Sequence, residues 1–165
     1  MIGLLRVAAV AALLLAVGFL VCPGLPTGDP AALVKDSLNG RQRPFRASCV
    51  LSSSGKSVHF SIRGDGGRLS DCLRSYVPTA TPNRRSVMQA LEDAASGTRY
   101  ELLLEGHSRI AGRRCSTVRL KPPSKQDEWF QVWIDPDSHL VLAWRHWRYD
   151  GKLISSMQTT RLLNH

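Results

Sequence analysis

The hydrophobic pattern is strongest near the end of the chain. Two runs rich in aromatic and aliphatic residues, 129–134 and 140–144, flank the short polar stretch 135–138. In that stretch proline presets its φ angle, and aspartate and serine can hydrogen-bond their own backbone, so the segment predicts a tight turn. The two runs are therefore expected to form a β-hairpin with antiparallel strands.

Further strands are expected on both sides of this hairpin. Upstream, the glycine-bounded segment 106–112 separates two more apolar runs, 100–104 and 115–120. Downstream, an Asp-Gly pair at 150–151 is a strong hairpin signal, and residues 153–162 follow it. The chain is thus predicted to end in about five strands joined by short turns, an antiparallel meander.

Two helices are predicted before the meander. Asp29 is a good N-cap and Pro30 fits the first helical position, so a short helix should run from there to Asn39. Pro82 is predicted to start a second helix, and Gly97 to end it. One face of this second helix is apolar, through Val87, Leu91 and Ala94.

Three more strands are expected between the helices, at 45–52, 57–63 and 68–77. The second of them alternates apolar and polar residues, as a half-buried strand does, with Val58, Phe60 and Ile62 on its apolar side. Because no strand–helix–strand unit repeats, a parallel sheet is not expected. The predicted fold class is α+β, with one antiparallel sheet and two helices packed on a face.

The first residues resemble an export signal. Arg6 precedes an uncharged apolar run, 7–21, which is the pattern of a secretory signal peptide. Three fates are open: cleavage near Gly24, retention as a membrane anchor, or lipidation at Cys22. The protein is therefore expected to be exported and to act in the periplasm or on the extracytoplasmic face of the membrane. The predicted division is a signal peptide or N-terminal anchor, residues 1–24, and a single domain, residues 25–165.

The composition is basic, with 22 Lys and Arg residues against 13 Asp and Glu residues and a net charge of +9. Such an excess attracts nucleic acid, anionic lipid or acidic partners. The charges are scattered and form no basic run or nucleic-acid motif, so nucleic acid is not an expected partner. An anionic membrane surface or an acidic partner segment is the better expectation, and the sequence leaves the oligomeric state open.

Cysteine and histidine spacings give no sign of a metal site. If Cys22 is removed with a signal peptide, Cys49, Cys72 and Cys115 remain, and outside the cytoplasm two of them could form a disulfide. Plain burial as small apolar residues is the alternative for each. The five histidines are not spaced as metal ligands, and no Gly-x-Ser-x-Gly elbow marks a nucleophile. No catalytic residue, metal or cofactor is expected, and the protein is not predicted to be an enzyme.

Both faces of the aromatic strands are largely apolar. In the run 129–134, Trp129, Gln131 and Trp133 point one way while the three residues that alternate with them, Phe130, Val132 and Ile134, point the other. Either helices cover one face and a partner or lipid covers the other, or the sheet curls around an apolar cavity; a filled core with tryptophans at its rim is the alternative. The predicted apolar ligand-binding residues are Val87, Leu91, Ala94, Trp129, Trp133, Leu140, Leu142 and Trp144.

The meander also resembles a known family. The segment 106–115 (Gly-x-Ser-Arg-Ile-Ala-Gly-Arg-x-Cys), a strand ending in Leu-Lys-Pro at 120–122, Val-Trp-Ile-Asp at 132–135, Leu-x-Leu at 140–142 and Asp-Gly at 150–151 resemble the first domain of MucB/RseB-type regulators. That domain is similar in fold to the lipoprotein carriers LolA and LolB. The resemblance implies a curved antiparallel half-barrel, with two helices against its concave face over an apolar cavity.

The resemblance also implies a function. MucB/RseB-type regulators are periplasmic proteins that bind a membrane-bound anti-sigma factor and respond to envelope stress. The leading expectation is therefore an exported, non-enzymatic binding protein that holds an acyl chain or an apolar peptide or lipoprotein segment in such signalling. A LolA-like lipid or lipoprotein carrier is one alternative, and a membrane-associated interaction module without a cavity is another.

The export signal predicts the behaviour of a reporter fusion. A reporter that works only outside the cytoplasm, fused after His165, should be active because residues 1–24 direct export. The same fusion without residues 1–24 is the control and should be inactive. Activity confined to a cytoplasmic reporter would contradict export and would remove the reason to expect a disulfide.

Overall fold

A computed structural model describes residues 28–39, 43–66 and 86–164 of the chain. These residues form two helices, α1 (Pro30–Asn39) and α2 (Val87–Ala95), and seven strands. The strands are β1 (Phe45–Ser53), β2 (Lys56–Gly64), β3 (Glu101–Ile110), β4 (Arg113–Lys121), β5 (Trp129–Ile134), β6 (Val141–Trp147) and β7 (Leu153–Asn164).

The seven strands form one open, curved sheet in the order β2-β1-β7-β6-β5-β4-β3. Every neighbouring pair is antiparallel. The predicted meander is confirmed as β3 to β7, and the β1–β2 hairpin joins it at the free edge of β7. The two helices pack on the concave face, so the predicted α+β fold class is confirmed.

Both helices are capped by side chains at their first turn. The Asp29 carboxylate accepts a hydrogen bond from the backbone N–H of Ala31 at 2.9 Å, as the sequence predicts. The second helix starts later than predicted: Ser86 has extended backbone, and its hydroxyl accepts from the N–H of Gln89 at 3.1 Å. The helix therefore begins at Val87, and Pro82 lies outside the described residues.

The helix-covered face of the sheet forms the core. Val118 of β4 pairs with Val132 of β5, which pairs with Trp144 of β6, so these three side chains share a face. All three are at most 5% exposed, and they belong to one buried cluster with Val34 of α1 and Leu91 of α2. The helices thus close over the part of the sheet that β3, β4 and β5 form.

Strand β2 departs from its predicted pattern. Its apolar side runs from an exposed Val58, through a half-buried Phe60, to a buried Ile62. Val58 is 59% exposed because it pairs with Leu51 near the β1–β2 turn, at the edge of the sheet. The other strand predicted in this region, 68–77, lies outside the described residues.

A bulge bends the β3–β4 hairpin. The pairing register shifts between Leu104 and Gly106, and Gly106 has φ +143°, a conformation that side chains rarely allow. Beyond the bulge, the hydroxyl of Ser108 accepts a hydrogen bond from the Trp133 indole at 3.4 Å. The end of the hairpin therefore reaches over the face of the sheet opposite the helices.

The turn between β5 and β6 is organised by a buried carboxylate. Asp135 is 1% exposed and accepts hydrogen bonds from the Ser138 hydroxyl at 2.7 Å and from the N–H of Asp137 at 3.1 Å. Its own backbone closes the turn, with its N–H donating to Leu140 at 2.9 Å. This is the tight turn that the polar stretch predicts.

Helices α1 and α2 are both too short to cross a membrane, and no other helix occurs within the described ranges.

The buried carboxylate of Asp135 predicts a stability difference between two neighbouring aspartates. Asp135→Ala should lower the free energy of unfolding by about 1–3 kcal/mol, since it removes the acceptor for two hydrogen bonds. Asp137→Ala is the matched control, because that side chain is exposed, and it should change stability by less than about 0.5 kcal/mol. Urea unfolding followed by circular dichroism measures both; equal losses would contradict this role for Asp135.

Candidate functional site

Six of the eight predicted ligand-binding residues come together in the core. From α2, Val87, Leu91 and Ala94 are 3%, 1% and 4% exposed. The other three are sheet residues on or just before β6, namely Leu140, Leu142 and Trp144, at 3%, 2% and 5%, and all six belong to one hydrophobic cluster. These six residues are called the interior set below.

The other two tryptophans lie on the opposite face of the sheet. Val132 pairs with Trp144, whereas the next residue, Trp133, pairs with Ala143, and successive side chains of a strand point to opposite faces. Trp129 shares the face of Trp133, since the two are four residues apart. The pairing therefore places these two on the other face of the sheet from Trp144, although Trp133 is buried and belongs to the same hydrophobic cluster as the interior set.

The interior set includes a polar atom with no partner. The indole Nε1 of Trp144 is buried and makes no hydrogen bond. A buried donor left unpaired costs about 1–3 kcal/mol, so native proteins rarely keep one without a reason. A bound acceptor, such as a carbonyl oxygen, would satisfy it.

A buried imidazole–carboxylate pair lies at the end of the same face. His146 pairs with Phe130 across β5 and β6, stacks on its ring at 4.2 Å, and its Nε2 lies 2.7 Å from a Glu128 carboxylate oxygen. Only 4% of His146 is exposed. The residue type alone does not predict a buried site for His146, because a histidine is usually solvated, but its spacing of two residues from Trp144 places it on the same inward face.

The opposite face carries a ladder of indole and guanidinium groups. Trp129 and Trp147 are directly paired and stack with ring centroids 5.3 Å apart. The guanidinium of Arg119 covers the Trp129 ring at 4.7 Å, and that of Arg145 covers the Trp133 ring at 5.2 Å. Each contact is a cation–π interaction, to which arginine on tryptophan is well suited.

The two arginines of the ladder differ in their charge partners. Glu105 accepts from Arg119 at 2.5 Å and from the Gln131 amide at 2.6 Å, so the charge of Arg119 is balanced. Arg145 makes no ion pair with any residue in the described part of the chain. It is an exposed cation that lies over an aromatic ring.

Two hollows adjoin this ladder and share Leu153, which is 42% exposed. The smaller, about 180 Å³, has walls formed by Ile110, Trp133, Ala143, Arg145, Trp147 and Gln158, among others. The larger, about 480 Å³, lies between the β1–β2 turn and the β6–β7 turn and is lined by Ser54, Gly55, Arg148, Lys152, Leu153 and Ile154. Together they are called the Leu153 trough.

The described cysteines are buried, free thiols. Cys49 lies 3.7 Å from the Thr159 hydroxyl, and Cys115 is fully buried on β4. Burial, together with the negative charge of Asp135, raises the pKa of Cys115 to about 11, so it stays a thiol at neutral pH. Three strands separate β1 from β4, and no disulfide joins these two cysteines. Cys72, the third disulfide candidate, lies outside the described residues.

Among residues 28–39, 43–66 and 86–164, no group of three or more His, Cys, Asp or Glu side chains could hold a metal ion.

Comparison with known proteins identifies the family. The family model of the MucB/RseB N-terminal domain matches residues 70–164. No curated protein sequence matches the chain.

Three solved structures of MucB have a similar fold. The MucA/MucB complex from Pseudomonas aeruginosa aligns at 21% identity and a TM-score of 0.58, over 82% of this chain and 57% of that one. MucB in complex with MucA(peri) aligns at 20% identity and a TM-score of 0.55, over 83% of this chain and 56% of that one. A structure of MucB without a named partner aligns at 20% identity and a TM-score of 0.58, over 84% of this chain and 59% of that one.

This chain therefore spans somewhat under 60% of the length of those MucB chains. Since the matched segment covers more than half of its 165 residues, the protein belongs to the family of the MucB/RseB N-terminal domain.

Proposed function

We propose that this protein is an exported, non-enzymatic binding protein of envelope-stress signalling. It would bind the extracytoplasmic segment of a membrane-bound anti-sigma factor and hold an acyl chain or an apolar peptide or lipoprotein segment. The observation that carries the proposal is the family match over residues 70–164. The fold likeness to MucB, which two of the structures contain together with MucA, supports it.

The charge of the chain supports a partner at the membrane. With a net charge of +9, the protein is attracted to acidic segments and anionic headgroups, and both are available at a membrane surface. The attraction acts over about a Debye length, ~8 Å at physiological salt, so it favours encounter more than it fixes a binding geometry.

The interior set supports an apolar ligand. An acyl chain inserted into the core beneath α2 would gain about 0.8 kcal/mol for each buried methylene. Several methylenes together would exceed the cost of association. Its carbonyl oxygen could also accept from Trp144, the unpaired indole of this set. The ligand would need α2 to move outward, because all six residues are at most 5% exposed.

That close burial favours a second candidate, an interaction module whose core is filled. In this reading the interior set only stabilises the fold, and binding takes place on the surface. A LolA-like carrier is a third candidate. It would bind the same acyl ligand but would have to transfer it to another protein or membrane.

Binding of the partner segment tests the signalling role. The full chain should bind the extracytoplasmic segment of an anti-sigma factor encoded by a neighbouring sigma/anti-sigma gene pair, with saturation in isothermal titration calorimetry. A scrambled segment of the same composition is the control, since it keeps the charge and loses the order. Equal affinities for the two segments would contradict a specific regulatory partner.

Tryptophan fluorescence tests the acyl ligand. Long-chain fatty acid should quench the emission with saturation, and Leu91→Arg or Leu142→Arg should abolish the effect by burying a charge in the interior set. Because those two changes could also unfold the protein, Trp144→Phe gives a milder test. It should remove most of the quenching, as the affected indole is gone.

Trp129→Phe is the matched control for Trp144→Phe, because Trp129 lies on the opposite face. It should leave the saturable quenching in place. Two outcomes would contradict the acyl proposal. One is that fatty acid causes no saturable quenching, and the other is that Trp129→Phe removes the quenching while Trp144→Phe does not. Either outcome would leave the interaction module as the remaining interpretation.

A further inference from the structure

The Leu153 trough has the dimensions of a peptide subsite. Its smaller hollow, about 180 Å³, is below the ~300–1,000 Å³ of usual small-molecule sites and suits a single large side chain. The wider hollow shares Leu153 with it and also borders Ser54 and Gly55 of the β1–β2 turn. Two neighbouring hollows, one of them sized for a single side chain, fit an extended chain better than a compact ligand.

The trough is flanked by cations that have no carboxylate partner. Arg145 borders the smaller hollow and Lys152 the larger, and neither forms an ion pair with a described residue. Arg148 also lines the larger hollow, but its charge is balanced by Asp150, whose pKa it holds down at about 2. The unbalanced charge along the trough is therefore positive.

Arg145 keeps hydrogen-bond donors for an occupant of the trough. Its side chain is exposed, lies over the Trp133 ring and forms no ion pair with a described residue, so guanidinium N–H groups remain to bind an acceptor. The second polar group is Trp147, whose Nε1 is buried without a hydrogen-bond partner although the residue lines the smaller hollow. An occupant with acceptor oxygens would satisfy both.

We propose that the Leu153 trough binds an acidic, extended peptide segment. An aromatic or large aliphatic side chain of the segment fills the smaller hollow against Trp147 and Ala143. Carboxylates on either side of it pair with Arg145 and Lys152. The proposal requires no acyl ligand, although Trp144 of the interior set also lines the smaller hollow.

A set of blocked pentapeptides tests the trough in the full chain. The probe has a phenylalanine flanked by two glutamates, and binding is followed by tryptophan fluorescence and calorimetry. One comparison peptide replaces phenylalanine by glycine and another replaces both glutamates by lysine. Only the probe should bind with saturation, since the other two lose either the side chain for the hollow or the charge match.

Two arginine variants separate a local contact from general charge attraction. Arg145→Ala should weaken binding of the probe about tenfold, the effect of losing a charge-assisted hydrogen bond. Arg161→Ala removes the same charge from an exposed position on β7 outside the trough, and it should leave the affinity within about twofold. Arg145→Glu should abolish binding of the acidic probe and should allow binding of the lysine peptide.

Three results would overturn the proposal. One is binding of the acidic probe that Arg145→Ala and Arg161→Ala weaken equally, because that is attraction to net charge alone. Another is the absence of saturable binding by any of the three peptides. A third is binding of anionic phosphatidylglycerol vesicles that shows the same dependence on Arg145 while the peptides fail to compete, which would make the trough a lipid-headgroup site.

Discussion

The alternation of side chains along β5 and β6, interrupted by one register shift beside their turn, is the constraint on which the rest of the structure depends. Both strands are apolar at almost every position, so both faces of the sheet must be covered at its centre. One face is closed by α1 and α2. The other is covered by its own arginines, which lie over the tryptophan rings, and by the end of the β3–β4 hairpin, which bends at the Gly106 bulge. Two chemically different surfaces result from one hairpin.

The sequence predicts the meander well because its signals are local. Turn residues at 135–138 and at 150–151 fix the two hairpins, and the apolar alternation between them fixes the strands. The start of α2 is harder to predict from the sequence, because Pro82 and Ser86 are both good first-turn signals. Only the hydrogen bond that the Ser86 hydroxyl accepts decides between them. The pairing of β1 with β7 leaves no local trace, because the two strands are about a hundred residues apart in the chain.

The candidate sites show the same limit. Residue type alone groups Trp129 and Trp133 with Trp144, and only the pairing of Trp133 with Ala143 separates them. The Leu153 trough depends on which turns meet at one end of the sheet, so no sequence window contains it. His146, by contrast, could have been placed from the sequence. The alternation that puts Trp144 on the inward face also puts His146 there, but a histidine is not expected at a buried position.

The stacked pair on β5 and β6 gives the protein an optical property of its own. Two indole rings only 5.3 Å apart and inclined by 11° couple their electronic transitions, so they should give an exciton signal in circular dichroism that isolated tryptophans lack. A slip of the β5–β6 register by one residue would send one ring to the other face and erase the signal. The protein thus carries an intrinsic reporter of the strand pairing that sets both of its faces.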